Sequence, residues 1–322
     1  MTNVLPPRQG PAAWEQSTLL PRDGVHHLNP KCIEELLEAG ARLSRDPLPT
    51  EVLDPDDFEL PAVREAMRTV RETLNGGIGF AIIDRLPLER LDDHVAVQLY
   101  WLLMSAVGRP VAQKWDGTLV YDVLDTGKKP APGNGVRSSK SNEGQGYHTD
   151  NAFNTPPAYV ALFCLRTAME GGMSGLISFD SVYNRLLEHF PDAVPRLFEP
   201  FHFDRQREHA PDDNPVSFKP MFETVGGELH VALSTGLVRQ GHKMLNMAMD
   251  ERTRESLESL DAVMEDPALG KSFAFEAGQI QIVNNRRLGH RRTGFKDWPE
   301  PERKRHLVRI WLRDEGRRTY HG

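Results

Sequence analysis

The chain is expected to be mostly β with flanking helices, around a double-stranded β-helix (jelly roll, cupin-like) core. Three observations carry this: short apolar or alternating segments recur along residues 77–313, turn residues such as Glu170-Gly171-Gly172 separate them, and helical spacing is concentrated early. Of 322 residues, 39% are hydrophobic and 26% charged, with 24 Pro and 26 Gly, which fits a loop-rich globular chain rather than a disordered one. No internal repeat or linker divides it, so one domain over 1–322 is the expectation.

The elements follow in order. Residues 1–22 are rich in Pro and polar side chains, lack the basic-then-apolar layout of a secretory signal, and read as an N-terminal arm. Apolar residues at helical spacing predict helices over 31–43 and 61–74. A buried strand follows over 77–86, then a helix over 90–107 and a strand over 119–124. The polar stretch 125–146 has no apolar pattern, and patternless runs beyond about 12–15 residues in compact domains usually carry function. It leads directly into His148 and reads as an active-site lid, with an ordinary solvated loop as the bland alternative.

Strands are expected at 158–165 and 176–179, then a helix over 180–190 capped by Asp180 or Ser181 and stopped by Pro191. A polar excursion at 204–215 reads as a loop insertion. Strands near 221–225 and 229–232, a helix over 250–264 and strands at 279–284 and 306–313 complete the pattern.

Composition narrows the partners. The formal net charge of −7 opposes a grip on phosphate backbones, so no nucleic acid is expected. No apolar run approaches the roughly 20 residues that span a bilayer, so no membrane is expected either. Cys32 and Cys164 lie far apart without a C-x-x-C spacing, which makes the cytoplasm the expected location. A small molecule is the expected substrate, and a homodimer the expected assembly by base rate.

Chemistry concentrates in Tyr147-His148-Thr149-Asp150 and a distant histidine, His290. Residues two apart on an extended segment share a face, so His148 and Asp150 can grip one ion, with His290 completing a facial iron site with open positions. An H-x-D pair also arises by chance, and His202-Phe203-Asp204 is a second one. Taken alone, either pair is more often structural.

Context separates them. With Gly79-Phe80-Ala81-Ile82-Ile83, Val107-Gly108-Arg109-Pro110, His148-Thr149-Asp150, Gly171-Gly172, Asn284-Asn285, His290-Arg291-Arg292-Thr293-Gly294-Phe295 and Arg305-His306-Leu307-Val308-Arg309 in that order, the chain resembles the taurine dioxygenase and clavaminate synthase superfamily of iron(II)- and 2-oxoglutarate-dependent oxygenases. The resemblance covers residues 77–313.

The resemblance implies Fe(II), 2-oxoglutarate and O2 as cofactors, with His148, Asp150 and His290 as metal ligands. Ser174 stands where the family usually has a Thr that touches 2-oxoglutarate; it keeps the hydroxyl and loses the methyl that fixes its rotamer. Arg305, fifteen residues after His290, is implied as the clamp on the distal carboxylate, since guanidinium meets carboxylate bidentately. Arg309 is expected on the same strand face about 13 Å further along at about 3.3 Å per residue, meeting either the other end of the cosubstrate or a substrate acid. A solvated edge-strand charge is the alternative for both arginines.

Asn142 and Gln145 approach from the lid and are substrate candidates, although alternation sends Gln145 and Tyr147 to the face opposite His148. Asn284 and Asn285 are expected to be structural, and Arg292 to pack.

The activity implied is hydroxylation of a small carboxylate-bearing molecule, such as an amino acid or natural-product intermediate, with 2-oxoglutarate converted to succinate and carbon dioxide. Desaturation or oxidative cyclisation would use the same cofactors. Halogenation is disfavoured because Asp150 is intact. A zinc-dependent hydrolase and a non-catalytic jelly-roll binding protein are the readings of another class. The first lacks an H-E-x-x-H signature, and the second leaves the three ligands, Ser174 and Arg305 without purpose.

Overall fold

The computed structural model describes residues 4–128 and 138–320. The centre of the expected lid lies outside the described residues. Among those described, the larger sheet runs in the order β1 (Val25–His27), β2 (Phe80–Asp84), β14 (Ile280–Asn284), β6 (Tyr159–Arg166), β17 (His306–Arg313) and β3 (Arg109–Val111), with β4 (Tyr121–Val123) also against β17. The smaller runs β13 (Gly270–Phe273), β8 (Ser174–Ser178), β15 (Leu288–Arg292) and β5 (Gln145–His148). Three ribbons join them: β7 (Glu170–Gly171) with β16 (Phe295–Lys296), β9 (Pro200–Asp204) with β10 (Val216–Pro220), and β11 (Phe222–Val225) with β12 (Glu228–Val231). The two facing sheets form the double-stranded β-helix core.

Period-two alternation divides the larger sheet between two cores. Ala81, Ile83, Ala161, Phe163, Val308 and Ile310 pack outward with helices α1 (Pro30–Arg45), α2 (Pro61–Asn75) and α3 (Asp93–Val107). Phe80, Ile82, Val160 and Trp311, of opposite parity, pack inward with Leu176 and Leu288 of the smaller sheet. On β17 the parity that carries Trp311 inward also carries Arg309 inward, so an apolar alternation aims a cation at the space between the sheets.

Capping explains where the helices start. Asn29 accepts from Cys32 N ahead of Pro30, Asp92 from Val95 N, and, at α7 (Glu251–Met264), Asp250 from Thr253 N; each such cap contributes about 1 kcal/mol. At α4 (Phe179–His189) the cap is Ser178, whose Oγ accepts from Ser181 N at 3.2 Å, and not Asp180 or Ser181. Asp180 instead pairs with Arg8 and Arg287. The expected strand at 176–179 is β8, which begins two residues earlier and stops where α4 begins. Between α4 and α7 lie the short α5 (Val194–Leu197) and α6 (Thr235–Met244). No helix was expected at α6, because its two glycines mask its helical propensity.

Two segments read as loose are tied down. In the arm, Trp14 is 3% exposed and donates to Ile78 O, while Ser178 and Ser181 donate to the Ala12 and Trp14 carbonyls. The 204–215 excursion connects β9 to β10, and its buried Arg205 bonds Asn154 and Asp213. No helix among the described residues is long and apolar enough to cross a membrane.

Candidate active site

Register on the smaller sheet assembles most of the site. On β15, His290 stands opposite His148 of β5 and Leu176 of β8, while Arg292 stands opposite Gln145 and Ser174. Between these pairs one residue of β15, Arg291, stands against two of β5, Gly146 and Tyr147, a bulge. It corrects the expected orientation of Gln145, whose Nε2 lies 2.9 Å from His148 Nε2. Tyr147 keeps the opposite face, where Arg291 covers its ring at 4.4 Å.

β5 ends at His148, so Asp150 does not share a strand with it. The turn that carries Asp150 is held from a distance. Asn285 accepts from Asp150 N at 2.9 Å and donates to Asp150 O at 3.0 Å, and Thr149 bonds Leu233 through both its N–H and its hydroxyl. Asn151 then takes a left-handed φ of 57°. As a result Asp150 Oδ1 lies 3.5 Å from Nε2 of both His148 and His290. The three ligand atoms fall within 4.8 Å of one another.

The second oxygen of Asp150 is occupied elsewhere. Trp311 Nε1 donates to Oδ2 at 2.7 Å and Arg309 Nη1 lies 2.9 Å from it. Burial pushes the carboxyl up, but the Arg309 charge and the two histidines outweigh it and hold it well below the usual range. His148 Nδ1 lies 3.0 Å from Gly146 O, which favours the proton there and leaves Nε2 as a ligand atom. Burial pushes His290 down, keeping it neutral, the form that binds metal.

The triad lies where two cavities meet. One, of about 400 Å3, borders His148 and Asp150 and is lined by Gln145, Asn151, Gln206 and the first turn of α6. The other borders His148 and His290, with apolar walls at Leu162, Phe275 and Leu307 and a polar end at Ser174, Arg305 and Arg309.

The residues of this second cavity fit 2-oxoglutarate. Arg305 is 4% exposed, burial pushes its guanidinium down, and its Nη1 has no partner among the described residues. A buried unpaired cation is costly, and a carboxylate removes that cost. Arg305 precedes β17 instead of standing on it, and the β17–β6 register shifts between His306 and Leu307. The expected strand spacing to Arg309 therefore does not apply, and both arginines reach one cavity. Arg309 donates Nε to Gln113 Oε1 at 2.7 Å and gives Nη1 to Asp150, while its Nη2 has no partner among the described residues.

Ser174 donates to Gln281 Oε1 at 2.6 Å, while the buried Gln281 Nε2 has no partner among the described residues. Turning the amide lets Nε2 donate to Ser174 and frees the hydroxyl proton for a carboxylate. Arg292, which burial pushes down to about 10, donates to the Ser141 and Glu143 carbonyls and so holds the chain entering β5.

Two sequence candidates stay outside. Asn142 is exposed and borders neither cavity, its carbonyl accepting from Phe295 N. His202 stacks with Phe218 on the β9–β10 ribbon. Conversely, Trp311, Gln113, Gln281 and the start of α6 were missed. For Trp311 a signal existed, since it shares the inward parity of Arg309.

Comparison with known proteins agrees with this geometry. The family described as Taurine catabolism dioxygenase TauD, TfdA family matches residues 44–311. FR-33289 synthase of Streptomyces rubellomurinus (strain ATCC 31215) is 26% identical over 289 residues, covering 89% of this chain and 84% of the relative. A uridine-5'-phosphate dioxygenase of Amycolatopsis sp is 22% identical over 280 residues, covering 82% of this chain and 93% of the relative. In fold, the chain is similar to asparagine oxygenase in complex with Fe(II), 2S,3S-3-hydroxyasparagine and succinate. That match has a TM-score of 0.64 at 21% identity and covers 90% of this chain and 93% of that one. Since the family match spans most of the chain, the protein belongs to the taurine catabolism dioxygenase TauD, TfdA family and is an iron(II)- and 2-oxoglutarate-dependent oxygenase.

Proposed function

We propose that His148, Asp150 and His290 hold the iron, that Arg305 and Ser174 hold the distal carboxylate of 2-oxoglutarate, and that a small acid-bearing molecule is hydroxylated in the larger cavity. The observation that carries this is the placement of the triad at the junction of two cavities, one of them ending in the unpartnered Nη1 of buried Arg305. Iron, 2-oxoglutarate and oxygen together supply the oxidant that removes a hydrogen atom from a substrate carbon, leaving succinate and carbon dioxide.

The chain does the rest. Trp311 and Arg309 hold Asp150 Oδ2, which directs Oδ1 toward the ion. Leu162, Phe275 and Leu307 keep water from the cosubstrate. Gln145 and Arg309 border both cavities and orient the substrate, the Arg309 guanidinium offering its charge to an acid group on either side. An amino acid or a natural-product intermediate falls within this description. Desaturation and cyclisation differ only in where the substrate radical is held.

A zinc hydrolase has no use for a second, arginine-ended cavity. With iron(II) and 2-oxoglutarate under anaerobic conditions, a weak visible charge-transfer band is expected. No band in the wild type, or an unchanged band in His148→Ala, would sink the proposal. The two free, buried cysteines support a cytoplasmic location. A homodimer is proposed on base rate and checked by light scattering.

A further inference from the structure

The larger cavity has a wall that the iron chemistry does not use. Ser234, Thr235, Gly236 and Leu237, the cap and first turn of α6, all border it. Ser234 makes no side-chain bond to the helix, and Thr235 Oγ1 donates away to Asp261 at 2.8 Å. Ser234 O accepts from Val238 N, so the N–H groups of Thr235, Gly236 and Leu237 come before the first helical bond and have no helical acceptor. A Cβ at Gly236 would meet nothing within 4 Å, which leaves those donors approachable. The helix is ten residues long and turns the positive end of its dipole to the same place.

A second observation is independent of the helix. Arg309, 8% exposed and with an Nη2 that has no partner among the described residues, borders this same cavity. A third concerns the opposite charge. Among the described residues lining the cavity the only carboxylate is Asp150, and its oxygens face Trp311, Arg309 and the two histidines. The stretches 1–3, 129–137 and 321–322 contain no Asp or Glu in their sequence. The lining thus holds no free anion to match an ammonium or guanidinium, whereas its donors match an oxyanion. Three adjacent backbone donors suit the three oxygens of a phosphoryl group better than the two of a carboxylate.

We infer that the first turn of α6 is a subsite for a tetrahedral oxyanion, and that the acid-bearing substrate is narrowed to a phosphate- or phosphonate-bearing molecule docked by that group, a smaller class than the amino acids and natural-product intermediates admitted above. This rests on reading the larger cavity as the substrate chamber.

The test uses the full chain, anaerobic, with iron(II) and 2-oxoglutarate. The charge-transfer band is recorded first without a probe; its absence overturns the iron assignment, not the subsite. Inorganic phosphate, methylphosphonate, uridine-5'-phosphate, L-asparagine and L-arginine are then titrated, by the band and by calorimetry. The phosphate and phosphonate probes are expected to bind and the two amino acids not to. The tighter of methylphosphonate and uridine-5'-phosphate tells a phosphonate substrate from a phosphate ester.

Gly236→Asp sets a carboxylate in the subsite while suiting a helix start, so the melting temperature holds and the phosphate-probe Kd rises about tenfold or more. Its Kd for 2-oxoglutarate stays within about twofold. Absence of phosphate binding in the wild type, undiminished binding in Gly236→Asp, or tighter binding of either amino acid overturns the inference.

Discussion

The two cavities that meet at the triad are walled by different kinds of structure. The arginine-ended cavity is walled mainly by strands of both sheets, with Leu162 on β6, Leu307 and Arg309 on β17, Ser174 on β8 and His290 on β15. The larger cavity is walled largely by connections: the turn after β5, Gln206 between β9 and β10, and the first turn of α6. Strand walls inherit a period of two and a register shared with their neighbours, whereas connections can change without disturbing either sheet. Under the proposed function, most of the grip on metal and cosubstrate is held in the register, with Asp150 set by a turn, and the choice of substrate is held in the connections.

That division can be broken by experiment. The largest effect is expected from Asp150→Ala or His290→Ala: iron content should fall to background and turnover of every substrate should vanish. Retained iron with turnover would show that the ligands lie elsewhere. Next, Arg305→Ala should raise KM for 2-oxoglutarate about a hundredfold, since hydrogen bonds to a charged group contribute about 1.5–3 kcal/mol each. The rise should be the same with any substrate; a substrate-dependent rise would move Arg305 to the other cavity.

Trp311→Phe keeps an apolar body but removes the donor to Asp150 Oδ2, and about tenfold weaker iron binding is expected in a metal titration. Unchanged affinity would mean that Arg309 alone orients the carboxylate. A smaller effect is expected from Gln281→Leu, which leaves the Ser174 hydroxyl unoriented and should weaken 2-oxoglutarate by about 1 kcal/mol. Combined with Ser174→Ala it should add little, and full additivity would show that the pair does not act as a unit.

The smallest effect concerns Cys164, on the same β6 wall, whose thiol burial pushes up to about 12. It stays neutral at every pH below that value. Thiol reagents at neutral pH should therefore label it only after unfolding; rapid labelling of the native enzyme would mean that this wall opens.

How far the site could be read from the sequence follows from the same division. His148, Asp150, His290, Ser174, Arg305 and Arg309 could be singled out because their order and spacing match a family pattern, and the structure brings them to adjoining cavities; the helices 31–43 and 61–74 and the last strand were legible because apolar periodicity is local. Gln145 was assigned to the wrong face, since a bulge against β15 depends on a strand 140 or more residues away. Ser178 was overlooked as a cap because Asp180 and Ser181 are equally good caps by type, yet Asp180 is drawn off by Arg8 and Arg287. Asn142 follows lid polarity, which says nothing about the direction a side chain takes.

Period, composition and motif order thus determined the layered β core and the metal-binding triad, and pointed to Arg305 as the proposed cosubstrate arginine. Only the tertiary structure decided which oxygen of Asp150 faces the histidines, through Asn285 and Trp311, 135 and 161 residues away in sequence. It also decided that an unforeseen helix opens its first turn onto the larger cavity. Periodicity is a property of neighbouring residues, whereas these two features arise from contacts that exist only once the sheets have paired.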